Sequence, residues 1–85
     1  MDAGLADIKD RVRRYVMSTF YVPDPAQVTD TTSFLDSGIV DSTGVLEIIS
    51  FLQAEFGVNV EDNEILPDNL DSVAAIAAYI QRKRG

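Results

Sequence analysis

The chain of 85 residues contains no cysteine. A disulfide framework, a thiolate zinc site and an iron–sulfur cluster are therefore excluded, and any thiol chemistry must be imported. Histidine is absent too, which removes Ser-His and Cys-His catalysis together with the commonest metal ligand. Lysine and arginine are missing from Tyr15 to Gln81, sixty-seven residues that hold eleven of the fourteen acids. The body of the chain thus carries −11, within a net charge of −7, and both ends are basic. That balance argues against nucleic acid, which needs a basic face, and favours either plain solubility or steering toward basic partners. Long apolar runs are lacking as well. The longest, Val73 to Ile80, has eight residues, too few for a membrane span. The first twenty residues alternate charge with apolar groups, unlike a signal peptide, so the cytoplasm is the expected compartment. The five glycines are scattered and no Gly-Lys-Ser/Thr occurs, so a phosphate-cradling nucleotide loop is absent.

What is present is the composition of a folded domain, 46% hydrophobic and 25% charged. The length suits a single domain over residues 1–85 with one core, and leaves little room for an enclosed catalytic cleft. Leu5, Ile8, Val12, Tyr15, Val16 and Phe20 recur at helical spacing and predict a first helix over 3–20. Val22-Pro23-Asp24-Pro25 stops it, because proline lacks the backbone donor and restricts its predecessor. A long connection from Tyr21 to Asp41 follows, with Val28, Phe34, Leu35, Ile39 and Val40 expected to pack across the core. Asp41 is a favourable N-cap for a second helix over 42–56, striped by Val45, Ile48, Ile49, Leu52 and Phe56 and closed by Gly57. The acidic stretch around Ile65 and Leu66 predicts one short turn before Pro67. Asp71 or Ser72 then caps a last helix over 72–83, which ends in Arg82-Lys83-Arg84, cations suited to the dipole there. No strand alternation appears. The expectation is all-α: a small four-helix bundle, three main helices plus one short one, with a long loop between helices one and two. Tyr15 and Tyr79 are expected at the core edge with wet hydroxyls, and Phe56 inside the core.

Fourteen carboxylates invite a metal reading, yet none of the candidate starts, Asp24, Asp30, Asp36, Asp62 or Asp68, fits a calcium loop. Glu61, Asp62 and Glu64 read as solvated charges on a short helix, with weak divalent binding as the minor alternative. The segment that does suggest chemistry is Asp36-Ser37-Gly38-Ile39-Val40-Asp41-Ser42. A serine in the first turn of a helix sits beside unpaired backbone donors and the positive end of the dipole. A phosphodiester there would be favoured for the reason that helix N-termini bind phosphate. On periodicity alone, Asp41 and Ser42 are better read as ordinary capping residues.

Ser33-Phe34-Leu35-Asp36-Ser37-Gly38-Ile39-Val40-Asp41-Ser42, followed by Val45-Leu46-Glu47-Ile48-Ile49, resembles the acyl and peptidyl carrier protein family. So do Leu52, Glu55-Phe56-Gly57-Val58, Ile65, Leu70-Asp71-Ser72-Val73 and Ala77-Ala78-Tyr79-Ile80 in order and spacing. The resemblance runs from Leu5 to about Arg82 and implies that Ser42 accepts 4′-phosphopantetheine from coenzyme A through a phosphopantetheinyl transferase. The arm would bring the thiol the chain lacks, holding an acyl or aminoacyl group as a thioester. The protein would then be no enzyme but a carrier, loaded by an adenylating enzyme or synthase and read by acceptor enzymes with basic docking patches. Asp41, Thr43, Leu46 and Glu47 are the expected partner contacts, and a monomer suits a protein that visits several enzymes. Two features depart from the common pattern: Thr43 stands where Leu or Met is usual, and Gly38 lies four residues before Ser42 rather than three. The latter, with Gly44 in Asp-Ser-x-Gly, is similar to stand-alone aminoacyl and D-alanyl carriers. The rival readings are an acidic helical interaction module without a prosthetic group and, more remotely, a small hydrolase using Ser42.

Overall fold

A computed structural model describes residues 4–22, 24, 26 and 28–84. Its helices are α1 (Leu5–Thr19), α2 (Ser42–Phe56), α3 (Pro67–Leu70) and α4 (Val73–Arg84), with a 3₁₀ turn at Asp62–Glu64. Among the described residues there is no strand. The all-α expectation and the three main helices hold, each within two residues at its ends. The short helix divides into two pieces, the 3₁₀ turn expected before Pro67 and a four-residue helix that begins at Pro67 itself. Proline fits that first position because its missing donor would be unpaired there anyway.

The stripe of α1 buries Ile8, Val12 and Val16. Its outer face is laced by Asp7–Arg11 and Asp10–Arg14 ion pairs at 3.1 and 2.9 Å, one turn apart. Phe20 leaves the helix with extended backbone, whereas Pro23 and Pro25, the expected stop signals, lie outside the described residues. α4 packs on α1 and α3 and buries Val73, Ile76, Ala77, Tyr79 and Ile80. Its N-terminus is capped by Ser72, whose Oγ accepts the Ala75 N–H at 3.1 Å. α2 buries Gly44, Ile48 and Leu52, and ends at Gly57 in the left-handed conformation, φ 68°.

The long connection does cross the core, sinking Val28, Phe34 and Val40, although Leu35 stays exposed. Polar ties secure it at two points. Asp30 takes Lys9 and Arg13 of α1, while its carbonyl accepts the Ala74 N–H at 2.8 Å. Asp71 accepts Leu35 N–H at 2.9 Å through Oδ1 and the Ser33 hydroxyl through Oδ2, and its carbonyl accepts Phe34 N–H at 2.8 Å. Asp71 is thus a clasp for the loop rather than the cap of α4.

Three expectations are corrected. Phe56 is half-buried, set edge-on to Phe51 under Arg11 at the end of α2, because the last turn overhangs the core. Tyr79 is 1% exposed, its hydroxyl donating to Glu64 Oε1 at 2.9 Å instead of meeting water. Burial and the neighbouring Glu64 carboxylate push that phenol up to about 12, so it stays a neutral donor. Glu64, in turn, is no free solvated charge, since it also pairs with Lys83 at 2.9 Å. Tyr15, by contrast, keeps the core-edge position expected of it, although its hydroxyl, at an exposed site, also donates to a backbone carbonyl.

Candidate functional site

The N-terminus of α2 is built by Asp41. Its backbone is extended, φ −103° and ψ −175°, and Oδ1 accepts the Gly44 N–H at 2.8 Å. Because Asp41 does the capping, Ser42 is free of that task, and its exposed Oγ has no hydrogen-bond partner among the described residues. The helix start is seated by close packing at Gly44, where an added Cβ would lie 2.8 Å from Phe20 Cε1 and 2.9 Å from Val40 Cγ1. Only a hydrogen at that position lets α2 approach this closely, and the contact fixes the height at which Ser42 emerges.

The other residues expected at the site lie along the same face. Thr43 and Glu47 are exposed, and Leu46 is 62% exposed, a large apolar side chain held in water. The Glu47 carbonyl accepts the Tyr15 hydroxyl at 3.1 Å, and burial followed by the Glu47 charge pushes the Tyr15 phenol upward. Charge is distributed unevenly. Asp30, Glu55 and Glu64 are neutralised by Lys9 and Arg13, by Arg11, and by Lys83. Among the described residues, Asp36, Asp41 and Glu47 around Ser42 enter no ion pair. The Ser42 face thus carries unneutralised negative charge, as do Asp24, Glu61, Asp62, Asp68 and Asp71 elsewhere among the described residues.

Sequence reading did not reveal a cavity beside Ser42. It is open-sided, about 310 Å³, and bounded by three pieces: Ser42, Val45 and Leu46 of α2, Phe34, Leu35 and Val40 of the preceding loop, and Ile65, Leu66, Pro67, Leu70 and Asp71 opposite. Ser42 and Asp71 are the polar members of this lining. An apolar gap of this kind between a helix and a short segment suits an aliphatic ligand. No group of three or more potential metal ligands occurs among the described residues, and none of their helices is long and apolar enough to cross a membrane.

An exposed, hydrogen-bond-free serine at a helix N-terminus meets the geometric needs of a phosphodiester link, since the helix end offers backbone donors and a favourable dipole. Residues 10–80 match the family described as "Phosphopantetheine attachment site". The chain belongs to that family, whose members are carriers rather than catalysts, and its prosthetic group is 4′-phosphopantetheine. Among its relatives is the acyl carrier protein of Thermotoga maritima, 31% identical over 83 residues, 98% of this chain and 99% of that protein. The acyl carrier protein of Zymomonas mobilis is 26% identical over 80 residues, 94% of this chain and 99% of the relative. The meromycolate extension acyl carrier protein of Mycolicibacterium aurum is 31% identical over 80 residues, 94% and 72% of the two chains.

Proposed function

We propose that residues 1–85 form one carrier domain in which Ser42 bears the arm and acyl groups are the cargo. The apolar cavity beside Ser42 carries this reading. When bound, the prosthetic group supplies a terminal thiol that holds the cargo as a thioester. The protein's own residues present and shelter. Asp41 fixes the first turn of α2, Gly44 sets its height, and the α2 N-terminus favours the phosphodiester charge. The walls from Val40 to Leu70 offer apolar, partly exposed surface to an aliphatic chain, whose full burial is favourable by up to about 0.8 kcal/mol per methylene. A small, charged aminoacyl group would gain little from the same lining, so the cavity favours acyl over aminoacyl cargo despite the Asp-Ser-x-Gly spacing.

The partners are a phosphopantetheinyl transferase, a loading adenylating enzyme or synthase, and acceptor enzymes. Basic patches on them meet the unpaired Asp36, Asp41 and Glu47, and an apolar contact meets Leu46. The compartment is the cytoplasm and the working form a monomer. Intact mass after incubation with coenzyme A and a broad-specificity transferase tests the assignment. Quantitative gain of one phosphopantetheine, mapped to the peptide carrying Ser42 and lost in Ser42→Ala, is expected. An unmodified chain would leave the acidic interaction module as the better reading. The intact mass of protein purified from its own host then identifies the cargo, and an aminoacyl mass would overturn the acyl assignment.

A further inference from the structure

The three walls of the cavity are held in different ways. α2 is anchored by Ile48 and Leu52, and the loop before it by Phe34 and Val40, all between 0% and 3% exposed. The opposite wall, residues 61–70, offers the cavity Ile65 and Leu66, which are 36% and 50% exposed. Core burial reaches this wall only at its margins, through Val60 and Leu70. What ties its middle to the body is polar. Glu64 Oε1 accepts the Tyr79 hydroxyl and the Lys83 ammonium, each at 2.9 Å, together with the Glu61 N–H at 3.0 Å. The Glu64 carbonyl accepts Asn69 Nδ2 at 2.9 Å, and Asn69 Oδ1 accepts Arg82 at 2.8 Å.

From this arrangement we infer that Glu64 is a positioning residue: its tie to Tyr79 and Lys83 of α4 sets the width of the cavity and thereby the length of acyl chain that the carrier shelters. The inference rests on the carrier reading above. Tyr79 presents its hydroxyl from a side chain that is itself in the core, so the fixed end of the tie is the best-packed helix of the molecule. Ile65 and Leu66 follow Glu64 directly in the chain, so the carboxylate and the wall move together. Hydrogen bonds are short-ranged and directional. They hold a wall at one separation, whereas packing of half-exposed aliphatic side chains would let it slide. A chain too long for the set width must break the tie or leave its end in water.

The test loads Ser42 from acyl-coenzyme A thioesters of increasing length, acetyl, butyryl, octanoyl and dodecanoyl, using the transferase. It compares the Tm of each acylated form with that of the same variant bearing the unacylated arm. In the parent protein the gain rises with length and levels off near octanoyl. Glu64→Ala, and independently Tyr79→Phe combined with Lys83→Met, shift the plateau to dodecanoyl or beyond. Glu64→Gln keeps an acceptor oxygen for Tyr79 and Glu61 N–H and retains the parental plateau. If Glu64→Ala does not fold, the double variant decides, because it keeps the Tyr79 ring and Glu64 in place. A lower Tm for every form with the parental plateau unchanged overturns the inference and leaves Glu64 a purely structural residue. Intact mass, read before any melting, separates the two levels: an unmodified Ser42 overturns the carrier reading and this inference with it, whereas a loaded carrier with an unmoved plateau overturns the inference alone.

Discussion

α2 and α4 are both apolar helices of similar length, fifteen and twelve residues, and they are used in opposite ways. α4 buries five side chains on one broad face, and its three terminal cations, Arg82, Lys83 and Arg84, complement the helix end and the neighbouring segment. α2 buries one stripe and leaves Thr43, Leu46, Glu47 and Ser50 in water, with no cation in its last turn. Support and presentation are thus assigned to different helices. α4 commits five residues to the core, whereas α2 commits three and leaves a continuous face in water.

If that division is right, the largest stability effect belongs to α4. Ile76→Ala, at a site with no exposure, should cost about 2–5 kcal/mol, read from the urea midpoint at constant slope. A loss below about 1 kcal/mol would mean that α4 is not the support. Phe56→Ala, at the end of α2, should cost less, about 2–3 kcal/mol, because a partly exposed ring loses only part of its transfer term together with its edge contact with Phe51.

A smaller, pH-dependent effect comes from the carboxylates that tie segments to the helices. Arg13 and then Lys9 hold Asp30 below its ordinary value; the Glu61 N–H and then Lys83 do the same for Glu64. A carboxyl depressed in the folded state binds fewer protons there than in the unfolded chain. Its stabilisation is present above the ordinary carboxylate range and is lost as pH falls through the folded value. The urea midpoint should therefore decline on acidification from about pH 6 to about pH 3, and Glu64→Gln should shallow that decline. An equal decline in both proteins would deny Glu64 its share. Smallest of all, Leu46→Ala should leave stability within about 0.5 kcal/mol, since the side chain is already in water. The same variant should raise the KM of loading by the transferase, and an unchanged KM would remove Leu46 from the docking face.

The helices were legible because each carries a stripe and a local stop signal: Asp41 before α2, Gly57 after it, and cations at the end of α4. The Asp-Ser pair at the mouth of α2 was legible for the same reason, as a cap and an exposed first-turn residue adjacent in sequence. Contacts set by tertiary approach were not. Glu64 meets Tyr79 fifteen residues away and Asp71 meets Ser33 thirty-eight away, and no spacing rule links such positions. The cavity was hidden because periodicity shows which faces are apolar, not how completely they meet. The start of α3 could have been found, since proline at a first helical position is itself a signal.

The division of labour at the mouth of α2 has a thermodynamic corollary. Asp41, not Ser42, supplies the oxygen that closes the helix end. On the carrier reading, esterifying Ser42 with the bare arm therefore removes no hydrogen bond from the fold, and any change in stability comes from the cargo. Attachment can be made or reversed without a refolding step. The capped helix end keeps no memory of the bare arm, so a partner that must tell the arm-bearing protein from the bare one has to read the arm itself.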